Sequence, residues 1–372
     1  MERIAAHGIP GDIDSTARHL PDRVDPRRGQ RLSLDQRTVH DGAHEHREHR
    51  VGDVARRVPL STLHRPPDEL DGARAKASTR LEVGQQVRIP PLPEPGQVES
   101  APKPSFNEKD AEMIRDCVLW KDDHIIALNK PPGLATQGGS GQTRHVDGLS
   151  EALTFGMDEK PRLVHRLDKD TSGVLLLART RAVAKSLTEA IRHREARKIY
   201  WALVAGVPTP YLGEIKYGLV KAPGHGKGGE AEKMRCVHPK DIATTEGAKR
   251  AHTLYATLYR VAGRASWVAM EPITGRTHQL RAHMAEIGHP IIGDGKYGGS
   301  GQENLGDGWG AQLGGIISKK LHLHARSLTL LHPVTKKPFT VTAPLPEHMK
   351  QSWDTLGWEE DFADDDPFEA LH

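Results

Sequence analysis

The pattern of apolar and polar positions predicts both strands and helices in the last two thirds of the chain. The run GVLLLA at 173–178 contains no polar residue, which indicates a strand buried on both faces. The next segment, 181–197, has the period of an amphipathic helix. Its apolar residues share one face: Val183, Leu187, Ala190 and Ile191.

Turn residues separate further strands. CVLW and IIALN flank 121–124, which predicts a hairpin, and two β segments within 252–272 flank Ala262-Gly263. KIYWALVAG, LHLHARSLTLL and PFTVTA are three more strand patterns. A short helix ending at Gly288 carries three apolar residues at i, i+4 and i+7: Leu280, Met284 and Ile287. Since hairpins dominate and few helices intervene, we predict an α+β (mixed α/β) domain with a largely antiparallel sheet at 111–348.

The first seventy residues differ from the rest in composition. They contain twelve Arg and seven His, but no Lys and no aromatic residue. A segment with so much charge and no aromatic anchor has little apolar surface to bury. We therefore predict that 1–70 is disordered or an aberrant segment, resembling GC-rich coding sequence read in the wrong frame; a genuine divergent extension is the alternative. A proline-rich linker follows at 93–110.

The charge is unevenly distributed along the chain. Residues 359–372 hold seven acids and no Lys or Arg, so we predict an acidic C-terminal tail at 349–372. Subtracting this charge of −7 from the net +3 leaves +10 on the remainder. A basic body with a detachable acidic tail suits a polyanionic partner. A soluble surface with a disordered end accounts for the charges equally well.

The sequence also limits the compartment. It has no run of about 18 apolar residues, so we expect no membrane span. The N-terminus lacks the apolar core and cleavage site of a signal peptide. Cys117 and Cys236 are far apart and outside any CxxC motif, which disfavours a disulfide framework or a structural zinc site. We expect a reduced, cytoplasmic protein.

One acidic residue is distinguished by its position. In LVHRLDKDTSGVLLLA, Asp168 follows an apolar strand start, lies beside Arg166 and Lys169, and precedes a turn into the buried strand. Neighbouring cations favour the ionised form of an acid at the mouth of a core. An oriented carboxylate is suited to act as a nucleophile. The alternative is a buried Asp–Arg pair that only ties strand to loop.

This run, HRLD-x-D-T-S-G-V-L-L, resembles the motif of the RluA-type RNA pseudouridine synthases, in which the Asp of HRLD is catalytic. The likeness continues in the family's order over 111–345. Its further blocks are NKPPG at 129–133, RKIY at 197–200, TGRTHQLR at 274–281, GHPI at 288–291, GD at 293–294 and LHLHA at 321–325. The GGSG at 138–141 is most similar to the branch that acts on the large ribosomal subunit.

The resemblance assigns roles to individual residues. It implies that Asp168 is the nucleophile, that Tyr200 stacks on the target base and helps remove the C5 proton, and that Arg281 pairs with the catalytic Asp. Arg166 matches the side chain that takes the place of the flipped uridine. Without the resemblance, Tyr200 is better explained as a core tyrosine, and the alternative for Arg281 is a surface arginine. Three basic residues near these motifs are further candidates for RNA binding: Arg197, Lys198 and Arg276.

The implied reaction needs no cofactor. It breaks the N1–C1′ bond of uridine, rotates the base and joins C5 to C1′, without a redox step or an outside group. We therefore expect neither cofactor nor metal, and no phosphate-binding loop of the GxxxxGK[ST] type occurs. Two histidine pairs could suggest a metal site: His278 with His283, and His322 with His324. The first pair does not share a helix face and the second lacks a third ligand.

The implied partner is RNA, foremost 23S ribosomal RNA or a large-subunit precursor, and neither DNA nor membrane; we expect a monomer. The target uridine must be flipped or looped out to be reached. Transfer RNA is the alternative substrate, and a non-catalytic RNA-binding assembly factor is the alternative function, against which the complete set Asp168, Tyr200 and Arg281 argues. Members of this branch begin with an S4 RNA-binding domain, and 71–92 resembles a remnant of one.

Overall fold

The structure, a computed structural model, describes five stretches of the chain in full and the backbone of four short strands before them. The stretches are 107–138, 144–222, 233–298, 317–363 and 366–371. The chain divides into two units, Met1–Ser105 and Phe106–His372.

The described part of the first unit is one small antiparallel sheet. Its strands, in the order β1-β4-β2-β3, are β1 (Gln30–Ser33), β2 (Glu69–Leu70), β3 (Ala73–Arg74) and β4 (Gln86–Ile89). β3 and β4 lie within the stretch 71–92. β1 and β2 lie within the segment predicted to be disordered, and their backbones pair with β4. The rest of 1–106, including most of the S4-like remnant and nearly all of the linker, lies outside the described residues.

The second unit is built on one large sheet. Its strands are β5 (Val118–Lys121), β6 (Ile125–Lys130), β7 (Arg162–Leu163), β8 (Ser172–Ala178), β9 (Arg197–Ala205), β10 (Leu212–Ile215), β14 (Thr253–Val261), β15 (Ala265–Pro272), β16 (Leu323–Leu331) and β17 (Pro338–Thr342). Their order is β10-β14-β15-β9-β16-β8-β6-β5, with β17 beside β16 and β7 beside β8. A smaller antiparallel sheet consists of β11 (Gly218–Lys221), β12 (Met234–Val237) and β13 (Lys249–Arg250).

The pairing confirms the predicted fold class. Every described pair of the large sheet is antiparallel except β8 with β16, where Ser172 lies opposite His324 in parallel. The hairpins predicted around 121–124 and Ala262-Gly263 are β5–β6 and β14–β15.

Five α-helices are present in the described residues: α1 (Glu108–Asp116), α2 (Val146–Leu149), α3 (Arg181–Arg192), α4 (Gln279–Glu286) and α5 (Glu347–Leu356). The helix predicted at 181–197 is α3, which ends at Arg192, because β9 begins at Arg197; the helix predicted around Met284 is α4. α1 begins before the predicted domain start at 111, because Asn107 caps it by accepting a hydrogen bond from the Asp110 amide at 2.8 Å. None of the helices in these stretches has the length and apolar character needed to cross a bilayer.

β8 lies near the centre of the sheet and is buried on both faces, as its sequence predicts. Val174 and Leu176 pack with α3 on one face, while Leu175 and Leu177 pack on the other. Gly173, the second residue of β8, has φ +107°, and a Cβ there would lie 2.2 Å from the Ala325 carbonyl oxygen. Only glycine therefore lets β8 approach β16 at this point. The loop that carries Asp168 enters β8 directly before this contact.

The structure corrects the prediction of an acidic C-terminal tail. Trp353, Trp358 and Phe368 are buried, and they belong to the same apolar cluster as Trp267 of β15. Aromatic side chains of this size bury a large apolar area, which outweighs the acids between them in deciding where the segment lies. The described C-terminal residues are therefore part of the catalytic fold, and they are not a detachable tail.

Candidate active site

The loop that carries Asp168 is held by backbone hydrogen bonds on both sides. The Thr136 hydroxyl donates to the Leu167 carbonyl at 2.7 Å and accepts from the Leu167 amide at 3.2 Å. On the other side, the Thr171 amide donates to the Asp168 carbonyl at 3.2 Å. Since Thr136 comes from the segment after NKPPG, two distant motifs fix one catalytic candidate.

Lys130 holds the same loop through hydrogen bonds from its ammonium group. Its side chain is fully buried, and its Nζ donates to the carbonyls of Pro131, Leu134 and Lys169 at 2.8–3.0 Å. Burial lowers the pKa of Lys130 to about 7, while the charges of Asp170 and Asp168 oppose this shift. The three carbonyl acceptors use all three donors of an ammonium group. Lys130 therefore locks the loop after β6 to the loop before β8.

Arg281 joins two carboxylates at the N-terminal end of α4. Its Nε and Nη2 donate to Oδ2 and Oδ1 of Asp294 at 2.7 and 2.8 Å. Its remaining Nη1 lies 3.5 Å from Oδ2 of Asp168. Arg281 and Asp294 are buried, whereas the Asp168 side chain keeps 27% of its surface exposed. The arrangement gives Asp168 a fixed cation and access to a substrate.

His278 is a second neighbour of Asp168. It caps α4 in the left-handed conformation (φ 52°, ψ 22°), which directs its ring into the site. Its Nε2 lies 3.7 Å from Oδ2 of Asp168, and its Nδ1 lies 2.9 Å from the Tyr297 hydroxyl. That hydroxyl also accepts a hydrogen bond from the Met234 amide at 2.8 Å. Sequence reasoning considered His278 only as a metal ligand and did not single out Tyr297.

Tyr200 lies on β9 between β15 and β16, opposite Met270 and Ala325. Together with Asp168 and Lys198, it lines a pocket beside the α4 N-terminus. Burial raises the pKa of Tyr200 well above its usual value, and the charge of Asp168 adds to this shift. The side chain is therefore a neutral phenol at pH 7. It can stack on a base and donate a hydrogen bond, and it accepts a proton only if its own proton leaves.

The predicted RNA-binding residues have different environments. Arg166 and Arg276 are exposed and line the pockets around Asp168. Lys198 lines the Tyr200 pocket, and burial lowers its pKa.

Arg197, the fourth predicted RNA-binding residue, is paired with carboxylates of the fold. It donates to Glu271 at 2.9 Å and to both carboxylate oxygens of Asp366 at 2.8 and 2.6 Å. These carboxylates engage every nitrogen of the guanidinium group, so it anchors the C-terminal segment to the sheet.

The other histidines that could suggest a metal site have partners in the fold. His283 is hydrogen-bonded to the Thr253 hydroxyl at 2.9 Å. His322 lies 2.8 Å from the Ser352 hydroxyl, and His324 lies 2.9 Å from that of Ser172. In each case a serine or threonine hydroxyl satisfies a ring nitrogen inside the core. These contacts fix β16 and α4 around the site.

Two adjoining pockets meet at Asp168. They share the residues Arg166, Leu167, Asp168, Thr277, His278 and Arg281. The larger pocket extends to the loop after NKPPG and to Lys296, and the smaller one to Tyr200. A carboxylate placed where two pockets meet can reach a substrate that enters either of them.

Known proteins share this arrangement of motifs. The sequence model of the RNA pseudouridylate synthase family matches residues 124–286, which include Asp168, Tyr200 and Arg281. The ribosomal large subunit pseudouridine synthase C of Vibrio cholerae is 34% identical over 302 residues, 80% of this chain and 88% of that protein. The chain belongs to the RNA pseudouridine synthase family. It is therefore an enzyme that isomerises uridine in RNA.

Further comparisons agree with this membership. The Escherichia coli K12 protein of the same name is 33% identical over 308 residues, 79% of this chain and 87% of that protein. The human RNA pseudouridylate synthase domain containing 4 has a solved structure with a TM-score of 0.54 and 29% identity, covering 67% of this chain and 96% of that one. The predicted family and fold are thereby confirmed. The roles of individual site residues stay predictions.

Proposed function

We propose that this pseudouridine synthase modifies uridines of large-subunit ribosomal RNA, with Asp168 as the nucleophile. The curated relatives that cover most of the chain carry the name ribosomal large subunit pseudouridine synthase C, which supports 23S ribosomal RNA as the substrate. The observation on which the assignment of Asp168 rests is its position between Arg281 and the Tyr200 pocket. The proposal includes a cytoplasmic, monomeric enzyme.

In the proposed mechanism the substrate keeps its atoms and changes one bond. The Asp168 carboxylate acts on the sugar or the base so that N1–C1′ breaks, the base rotates, and C5 joins C1′. The proton on C5 leaves and N1 gains a proton, so the net composition is unchanged. A closed pocket is required, because water would otherwise hydrolyse the intermediate.

Arg281 and Tyr200 serve this chemistry in different ways. Arg281 places a cation beside Asp168 and orients its carboxylate, since its own position is fixed by Asp294. The Tyr200 ring stacks on the uracil, a contact that typically contributes about 1–3 kcal/mol per base. Because Tyr200 starts as a phenol, it takes part in removing the C5 proton only in concert with a group that receives the phenolic proton. The exposed Arg166 fills the space left by the flipped nucleotide.

The test of the nucleophile uses Asp168→Asn. The amide keeps the shape of the side chain but not its nucleophilicity, so we expect tritium release from [5-³H]uridine RNA to be abolished. RNA affinity should change by less than about tenfold. Asp158→Asn, the same change at an exposed acid outside both pockets, is the control and should retain full activity. Turnover near wild type in Asp168→Asn would exclude Asp168 as the nucleophile.

The test of the substrate compares RNAs. Pseudouridine maps of total RNA from a strain with and without this gene should differ in 23S ribosomal RNA and agree in transfer RNA. Re-expression of the wild-type chain, but not of Asp168→Asn, should restore the missing positions. Loss of pseudouridine from transfer RNA alone would contradict the proposed substrate and leave the enzymatic activity intact. A mass of about twice 40.9 kDa by light scattering would contradict the monomer.

A further inference from the structure

The hydroxyl of Tyr297 fixes the tautomer of His278. This hydroxyl accepts the Met234 amide at 2.8 Å and lies 2.9 Å from Nδ1 of His278. Among the described residues Nδ1 is the acceptor within reach of this hydroxyl, and we infer that the hydroxyl donates its single proton to it. With Nδ1 as the acceptor, the ring proton is on Nε2. Burial raises the pKa of Tyr297 to about 12, which keeps the donor proton in place.

The protonated Nε2 faces the same oxygen as Arg281 does. His278 Nε2 lies 3.7 Å and Arg281 Nη1 lies 3.5 Å from Oδ2 of Asp168. In active sites without substrate, catalytic hydrogen bonds are often this long and tighten when the substrate binds. No group in the described part of the chain donates a hydrogen bond to Oδ1. The two oxygens of Asp168 are therefore not equivalent.

We propose that Tyr297 and His278 form a positioning pair that donates to Oδ2 of Asp168, so that Oδ1 is the reacting oxygen. This inference rests on the proposed function, in which Asp168 is the nucleophile. His278 acts through Asp168 and does not itself exchange atoms with the uridine. Two donors on Oδ2 fix the orientation of the carboxylate plane. The lone pairs of Oδ1 are then directed at the substrate. In histidines generally, the hydrogen bond made by one ring nitrogen determines which nitrogen carries the proton, and Tyr297 has this role for His278.

Burial of His278 favours its neutral form. Burial lowers the pKa of His278 most, Arg281 and Lys296 lower it further, and Asp168 and Asp294 oppose them. A neutral ring donates a single proton to Oδ2 and leaves the negative charge on the carboxylate. A second full cation beside Arg281 would weaken the nucleophile.

Two amide substitutions at one position test the pair. The Gln amide can place a donor near the Nε2 position, whereas the Asn amide reaches only the Nδ1 position. We expect His278→Gln to keep a single-turnover rate within about threefold of wild type, or about 0.6 kcal/mol. His278→Asn should be slower by about 10–100-fold, because it loses a hydrogen bond to a charged group. The RNA Kd should not change in either variant.

The backbone makes this comparison stringent. His278 has φ 52°, a region in which Asn is among the best tolerated residues. A purely structural role of His278 would therefore favour Asn over Gln. His278→Gln that is no faster than His278→Asn would overturn the inference.

Tyr297→Phe provides an independent test if these variants do not fold. It removes the hydroxyl that fixes the tautomer, so the single-turnover rate should fall while the RNA Kd stays the same; an unchanged rate overturns the inference. Asp168→Asn separates this result from the proposed function. If Asp168→Asn is active, the assignment of the nucleophile fails. If it is inactive and His278→Gln is as slow as His278→Asn, only the positioning pair fails.

Discussion

Arg281 is bound more closely by Asp294 than by Asp168. The two contacts to Asp294 are 2.7 and 2.8 Å long, and the contact to Asp168 is 3.5 Å long. Asp294 also accepts hydrogen bonds from the amides of Lys296 and Tyr297. It therefore connects the N-terminal end of α4 to the turn at 294–297, which follows this helix. Asp294 therefore holds the guanidinium group in a position from which its Nη1 faces Asp168.

Asp294→Asn should therefore reduce both stability and activity. Removing one partner of a buried ion pair typically costs about 3–5 kcal/mol, because the other charge stays buried. We expect a loss of this size in the free energy of unfolding, measured with urea, and a slower single-turnover rate.

A double variant separates the two effects. Arg281→Met with Asp294→Leu removes both charges, which in buried pairs is often neutral for stability. We expect a smaller loss of stability than in Asp294→Asn, because no buried charge is left unpaired, and no recovery of activity. Recovery of turnover in the double variant would mean that Arg281 is not needed beside Asp168.

Tyr200→Phe should leave RNA binding nearly intact and slow turnover severely. The ring still stacks, while loss of a positioned proton donor typically costs about 10²–10⁴-fold in rate. Rapid-quench measurement of the isomerised fraction, together with filter binding, gives both quantities. Tyr255→Phe is the matched control, since this buried hydroxyl donates to the Pro210 carbonyl and lines neither pocket. Equal rates in Tyr200→Phe and wild type would limit Tyr200 to stacking or packing.

Local sequence patterns were sufficient for most of the elements of the second unit. The all-apolar run of β8, the helical period of α3 and the turn at Ala262-Gly263 each depend on residues within one element. Contacts between distant positions have no such local pattern. Arg197 pairs with Asp366 across 169 positions, and nothing in either neighbourhood indicates the partner. A run of acids was interpreted as a tail because charge was weighed above the aromatic residues between the acids.

The residues of the candidate site show the same difference between local motifs and contacts across the fold. Asp168, Tyr200 and Arg281 were named from motifs, and Asp168 and Tyr200 line a common pocket with Arg281. The roles of Asp294, Tyr297 and Lys130 depend on hydrogen bonds that form only after folding. The local sequence does not indicate the place of His278, because its position depends on a left-handed backbone conformation that a histidine does not predict.

Buried histidines should make the enzyme less stable in mild acid. Burial lowers the pKa of His165 and His324 to about 3 and that of His283 to about 4. In the unfolded chain they titrate near 6.5. Between these values the unfolded state binds more protons, so the free energy of unfolding falls as the pH decreases from about 6.5 to about 4.

His283→Asn tests this dependence. The Asn amide can still reach the Thr253 hydroxyl but does not titrate. We expect the slope of the free energy of unfolding against pH to decrease by up to about 1.4 kcal/mol per pH unit in this window. Urea denaturation at half-unit pH steps measures it. Parallel curves for the variant and wild type would mean that His283 takes up no additional proton on unfolding.

The C-terminal segment should stabilise the enzyme through its aromatic residues and not act through its acids. Phe368 is fully buried in the cluster around Trp267, and Asp366 holds Arg197. Phe368→Ala should cost about 3–5 kcal/mol of unfolding free energy, the usual cost of emptying such a site. Asp361→Asn, a change at an exposed acid of the same segment, should leave both stability and RNA affinity unchanged. A detachable acidic tail predicts the reverse, namely a stable Phe368→Ala variant and tighter RNA binding when acids are removed. Urea melts of the two variants, with RNA affinity measured at one fixed salt concentration, distinguish the two accounts.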